Sequence, residues 1–171
     1  MVESMRYYDV ETMSHLFRER FDSLIQDRLF FTIEEPFEDL LRRTNALLEG
    51  HFVLASGLHS PRYIQCARTL QYPEHAAALG GCIADRFQDY EVDAVISPAL
   101  GGLIIGHETA RPLNARALFG ERDNGAMALR RGFDVQAGEK VVIVEDVITT
   151  GGSVMELIRL AQDRQATVLG V

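Results

Sequence analysis

The segment that most constrains this chain is KVVIVEDVITTGGSVMEL, residues 140–157. Val141, Val142, Ile143 and Val144 form a β-branched run with no polar alternation. Such a run suits a strand covered on both faces, as the central strand of a parallel sheet is. Glu145 and Asp146 then fall at the carboxyl end of that strand, the edge at which open α/β sheets bind ligands. Val147 and Ile148 lead into Thr149, Thr150, Gly151, Gly152 and Ser153, and an apolar-periodic helix is expected over residues 153–162. Glycines let backbone N–H groups approach a phosphate, hydroxyls add donors, and a helix N-terminus adds partial positive charge. Two carboxylates beside an anion cradle would repel phosphate, so they need another task. The vicinal hydroxyls of a ribose, or a metal, would suit them.

Other phosphate motifs fit poorly. A Walker loop needs Lys after its last glycine, and Gly152 is followed by Ser153. GGLIIG has glycines at 101, 102 and 106, the wrong spacing for a dinucleotide fingerprint.

Around that segment, strands and helices alternate from residue 73 onward. A helix is expected over residues 73–90, a strand over 92–96 ended by SPALGG, and a helix over 103–110. A strand follows over 116–119, an exposed loop or hairpin over 123–133, and a last strand from residue 167. That alternation points to an α/β fold, a parallel sheet with right-handed crossovers. Upstream, apolar residues at a 3.6-residue period predict an amphipathic helix over residues 11–31. A second helix is expected over 36–48, with Pro36 in its first turn and Gly50 just past its end. Residues 51–65 read as two extended pieces around a turn-rich SGLHSP centre. The expected organisation is a helical extension over residues 1–35, a small segment over 36–72 and the α/β core over 73–171.

Composition excludes several classes. The net charge of −8 argues against nonspecific nucleic-acid binding, which needs a basic surface. The polar, acidic N-terminus is no signal peptide, and no window approaches the roughly 18 apolar residues of a membrane span. A cytoplasmic protein is expected. Cys66 and Cys82 are too few for a disulfide framework and read as two buried free thiols. His51, His59 and His107 show no partner at ligand spacing and are expected at the surface or in local packing.

Residues 141–153 closely resemble the phosphoribosyl pyrophosphate motif of the type I phosphoribosyltransferases. A second stretch, GHFVLASGLHSPRYIQ at 50–65, resembles the N-terminal hood of the orotate branch. The resemblance covers about residues 36–171. It implies a central parallel sheet flanked by helices, capped by a small N-terminal hood. It further implies transfer of ribose 5-phosphate from phosphoribosyl pyrophosphate to orotate, yielding orotidine 5-phosphate and pyrophosphate in the synthesis of UMP. By the same resemblance Glu145 and Asp146 hold the ribose, with Asp146 also catalytic, residues 149–153 cradle the 5-phosphate, and Val147 and Ile148 count among the residues that bind phosphoribosyl pyrophosphate. Ala99, Leu100 and Gly101 form the pyrophosphate loop, and Thr149 also serves orotate. Mg²⁺ is implied as the cofactor, bound through substrate and not directly by the protein, and a homodimer is implied.

The chain departs from the family in three places, one being the pyrophosphate loop, where Leu100 and Gly101 stand in a stretch that often carries a Lys. The loop FGERDNGAMALRRGF has no Lys and no His. Arg122 is left as the basic residue that covers the leaving group, and Arg130 and Arg131 stand across the turn. The Arg that the family uses for the orotate carboxylate follows the next strand, beyond Val171. A C-terminally truncated chain is therefore expected, one that binds the sugar phosphate yet turns over poorly. Arg62 and Tyr63 lie in the hood strand near the expected substrate. A purine-specific member of the family and a non-catalytic sensor of phosphoribosyl pyrophosphate are the alternatives.

Overall fold

The computed structural model describes residues 37–54 and 57–171, so the helix expected over residues 11–31 lies outside them. Helix α1 (Phe37–Arg43) carries Glu38 and Asp39 in its first turn and Arg42 and Arg43 in its last, matching the helix dipole. It buries Leu40 and Leu41 and ends five residues earlier than the spacing predicts. The stop is a left-handed Asn45 (φ 54°). Asn45 N–H bonds to the Arg42 carbonyl (3.0 Å) and Ala46 N–H to that of Leu41 (2.7 Å), the Schellman arrangement. Leu47 and Leu48, apolar enough to extend a helical pattern, instead open strand β1 (Leu47–Val53). Gly50 thus lies within a strand. Strand β2 (His59–Ile64) pairs antiparallel with β1, confirming the expected hairpin, with an irregularity in register between Glu49 and Phe52.

Helices α2 (Ala67–Leu70) and α3 (Pro73–Ala84) follow, and α3 gives way to a 3₁₀ turn at Asp85–Phe87. The core then alternates: β3 (Ala94–Pro98), α4 (Gly102–Ala110), β4 (Arg116–Asp123), β5 (Ala126–Leu129), β6 (Lys140–Ile143), α5 (Gly152–Asp163) and β7 (Thr167–Gly170). The larger sheet has the order β5-β4-β3-β6-β7. Its β3–β4, β3–β6 and β6–β7 pairs are parallel, and β5 is an antiparallel edge. Strand β4 runs four residues further than expected. Asn124 (φ 50°) and Gly125 (φ 89°) turn it tightly into β5, positive φ at both positions being what a type I′ hairpin requires.

Alternation along the strands divides the core between the two faces of the sheet. Ala94, Ile96, Val141 and Ile143 pack with Leu157, Ile158 and Ala161 of α5. Val95, Val142 and Val144 pack with Ile105 and Ala110 of α4 and Ala76 of α3. Strands β3 and β6 are therefore buried on both faces, the environment in which an unbroken β-branched run is stable. Glycines let α4 pack closely against α3 and against β3. A Cβ at Gly80 would lie 2.5 Å from the Glu108 carbonyl carbon, and one at Gly106 would lie 2.6 Å from Ser97 Oγ.

The strand order places the site. From β3 the chain crosses outward through α4 to β4, whereas from β6 it crosses the other way through α5 to β7. The loops after β3 and β6 diverge, and the crevice between them is the topological switch point at which such sheets take ligands.

Candidate functional site

Both diverging loops belong to the sequence motifs. Val144 N–H still bonds to the Ile96 carbonyl (2.9 Å), so the two chains stay in register up to the acidic pair. Beyond β3, Ala99 N–H bonds to the Gly120 carbonyl (2.7 Å), the Ala99–Leu100 peptide is cis, and the Leu100 side chain is 82% exposed. Gly101 then passes directly against Asp146. A Cβ on Gly101 would stand 2.5 Å from Oδ1 and 2.7 Å from Oδ2 of that carboxylate. The backbone of residues 99–101 and the Asp146 side chain therefore share one wall of the crevice.

Glu145 and Asp146 are both partly buried. Burial pushes the Glu145 carboxyl above its ordinary value, and the neighbouring Asp146 charge pushes it further. Burial also raises Asp146, opposed by the backbone N–H groups of Asp146 and Val147. Two adjacent carboxylates held this way gain from hydroxyl donors or from a nearby cation. The Cys66 thiol donates to the Asp146 carbonyl oxygen (3.3 Å), tying the end of the hood to this turn. Burial, and then the Asp146 charge, push that thiol up to about 12.

The cradle follows. Ile148 packs on the α5 side of the core, while Thr149 and Thr150 are exposed. Gly151 caps α5 in the left-handed region (φ 74°, ψ 9°), and its carbonyl accepts from Met155 N–H (2.9 Å). A residue with a Cβ adopts that conformation only at a cost, so glycine is there for backbone shape. Residues 151–153 thus present the N-terminus of a twelve-residue helix beside the acidic pair.

Arg122 lies on β4 and is already engaged. Its Nη1 meets Glu156 Oε2 at 2.6 Å and the Gly125 carbonyl oxygen at 2.9 Å. Glu156, in the second turn of α5, also accepts from Met127 N–H (3.0 Å), and the Arg122 hydrogen bond holds its carboxyl below the ordinary range. Arg131 pairs with Glu121 (3.0 Å) and lies 5.8 Å over the Phe119 ring, and Arg130 is 3.9 Å from the same glutamate. Motif reading missed Glu156 and Cys66, because each acts through a partner distant in sequence.

In the hood, Arg62 approaches Glu38 (3.9 Å) and Tyr63 packs on Phe52. His51 and His59 lie exposed on the hood hairpin, as expected, but the sequence spacing did not show that their rings meet across it. His107 contacts Glu108 (3.4 Å). Both cysteines are free and only partly exposed. Among the described residues no group of three or more His, Cys, Asp or Glu is placed to hold a metal ion, and no helix is long and apolar enough to cross a membrane.

Comparison with known proteins agrees with this geometry. The phosphoribosyl transferase domain family matches residues 68–171. An orotate phosphoribosyltransferase of Chlorobium phaeobacteroides is 53% identical over 138 residues, covering 81% of this chain and 72% of the relative. One from Thermotoga maritima is 52% identical over 134 residues, covering 78% and 72%. Among solved structures, the orotate phosphoribosyltransferase of Aeropyrum pernix superposes with a TM-score of 0.63 at 28% identity, over 78% of this chain and 77% of that one. An adenine phosphoribosyltransferase from Leishmania tarentolae shares the fold at a TM-score of 0.60 and 15% identity, covering 81% of this chain and 73% of that one. With an acidic pair and a glycine-capped helix at the switch point of its sheet, and with relatives of this identity, the chain belongs to the orotate phosphoribosyltransferase family.

Proposed function

We propose that this protein transfers ribose 5-phosphate from phosphoribosyl pyrophosphate to N1 of orotate, releasing pyrophosphate and forming orotidine 5-phosphate for pyrimidine nucleotide synthesis. The observation that carries the reading is the meeting of Asp146, Gly101 and the glycine-capped N-terminus of α5 at one crevice. Displacement at the anomeric carbon develops positive charge on the sugar and negative charge on the departing diphosphate. The protein then contributes chiefly by positioning and by electrostatic complementarity. Asp146 and Glu145 accept hydrogen bonds from the ribose hydroxyls, and their negative charge favours the cationic sugar. Residues 149–153 receive the 5-phosphate, with Thr149 also facing orotate, and the backbone of residues 99–101 lies along the diphosphate.

Magnesium fits this donor set, because two carboxylates raised by burial, Glu145 further by the Asp146 charge, gain from a hard cation that prefers oxygen. Carried on the diphosphate, it would neutralise leaving-group charge. Arg122, released from Glu156, supplies further positive charge there. A cytoplasmic homodimer completes the reading on family resemblance.

The test is a reaction of the purified chain with magnesium, phosphoribosyl pyrophosphate and orotate, following loss of orotate and release of pyrophosphate together. The reading expects equal, coupled amounts, lost in Asp146→Asn. Orotate-independent conversion of adenine, guanine or xanthine would overturn the base assignment, and ligand binding without pyrophosphate release would point to a sensor.

A further inference from the structure

The proposed reaction makes no use of the imidazole pair on the hood hairpin. In register, Phe52 faces Ser60 and Val53 faces His59, while beyond the irregularity Glu49 faces Arg62. Gly50 and His51 therefore both oppose Pro61, an extra residue on β1 in the manner of a β-bulge. A bulge of this kind re-aims a side chain, and Pro61 has no N–H to lose from the ladder. His51 and His59 become diagonal neighbours on one face, a separation that long side chains can bridge. Nε2 of His51 stands 2.5 Å from Nδ1 of His59, with ring centroids 4.8 Å apart and planes at 30°. Both residues are exposed.

We propose that His51 and His59 form a cross-strand site for a borderline transition-metal cation of the Zn²⁺ and Cu²⁺ class, separate from the magnesium-dependent substrate site. Two imidazole nitrogens bound tetrahedrally at about 2.0–2.1 Å from a metal lie about 3.3 Å apart. Opening the present contact by under about 1 Å, through rotation of two exposed rings, admits the cation. The ring that now donates shifts to its other tautomer, so both facing nitrogens offer lone pairs and no proton leaves the pair. Water fills the remaining positions. Magnesium does not compete, because it selects oxygen ligands and keeps its hydration shell. Occupancy clamps β1 to β2 across the bulge, in a two-stranded sheet that has little stability of its own.

The experiment is a titration of the full chain with Zn²⁺ alone, in buffer containing millimolar Mg²⁺, read by calorimetry and by NMR of the histidine ring protons. The expected result is one Zn²⁺ bound in the micromolar range, with shifts in the His51 and His59 rings. His51→Gln and His59→Gln should each weaken that binding tenfold or more, while His107→Gln leaves it unchanged. Circular dichroism and phosphoribosyl pyrophosphate binding report whether each variant is folded. If either variant is unfolded, the ring shifts of the parent protein decide. No Zn²⁺ binding, binding in both variants as tight as in the parent, or shifts confined to other residues would overturn the proposal. Because substrate binding is measured separately, its failure would count against the functional reading and not against this site.

Discussion

The Cα of Gly101 lies so close to the Asp146 carboxylate that a methyl group there would sit 2.5 Å from Oδ1. The turn after β3 and the Asp146 carboxylate thus leave no room between them for a side chain at residue 101. Gly101→Ala should push the Asp146 side chain out of place and weaken phosphoribosyl pyrophosphate binding at least tenfold. Overpacking of this kind costs about 1–3 kcal/mol. Ligand titration alongside thermal unfolding checks it, and a variant with parental affinity would show that the two groups do not cooperate.

Arg122 and Glu156 join the β4–β5 hairpin to α5. The pair is partly exposed to solvent, so Glu156→Gln should cost only about 0.5–1 kcal/mol at neutral pH. Glu156 titrates below its ordinary value in the folded state, chiefly through Arg122. Its contribution is thus present above the unfolded glutamate pKa and is lost as pH falls through the depressed folded value. Urea unfolding of parent and variant should converge in acid. Arg122→Ala should lower kcat well beyond the effect of Glu156→Gln. Equal kcat losses in the two variants would reduce Arg122 to a strut.

Cys66 should be a slow nucleophile despite its place beside the site. With a thiol pushed up to about 12 by burial and the Asp146 charge, thiolate at pH 8 is about one part in ten thousand. Alkylation by iodoacetamide should proceed far more slowly at Cys66 than at a solvent thiol, as read by mass spectrometry of the digested protein. Rapid labelling of Cys66 in the folded chain would contradict its placement.

Asp146 should oppose folding while serving the ligand. Its folded pKa is raised, mainly by burial, so the folded state binds more protons than the unfolded one between the ordinary and the raised values. Stability declines as pH rises through that window. Asp146→Asn removes this penalty and should gain up to about 0.5 kcal/mol over the parent at pH 7, screened because the group is half exposed. The gain should shrink toward pH 4, as urea midpoints would show. A variant less stable than the parent at pH 7 would mean that the carboxylate has stabilising partners.

Legibility in the sequence tracked the range of the interaction involved. The β6–loop–α5 unit was readable because its β-branched run, acidic pair and glycines are contiguous, and because a left-handed cap demands glycine at residue 151. The end of α1 was not, since Leu47 and Leu48 satisfy either period and only pairing with Ile64 and Tyr63 decides between them. The extension of β4 to Asp123 could have been inferred from the Asn-Gly turn. The partners of Arg122, Cys66 and Gly101 stand 34, 80 and 45 residues away, contacts that only the folded sheet creates. The meeting of His51 and His59 depends on one extra residue in β1, which local patterning does not reveal.

The most direct test of the central claim is calorimetric titration of magnesium phosphoribosyl pyrophosphate into the parent, Asp146→Asn and Gly151→Val. Asp146→Asn should lose about tenfold to a hundredfold in affinity, the roughly 1.5–3 kcal/mol of hydrogen bonds to a charged group. Gly151→Val should lose as much, because valine disfavours the left-handed cap and hinders approach to the backbone N–H groups. Both variants should retain the parental fold by circular dichroism. Parental affinity in both would contradict the assignment of this crevice as the ribose-phosphate site.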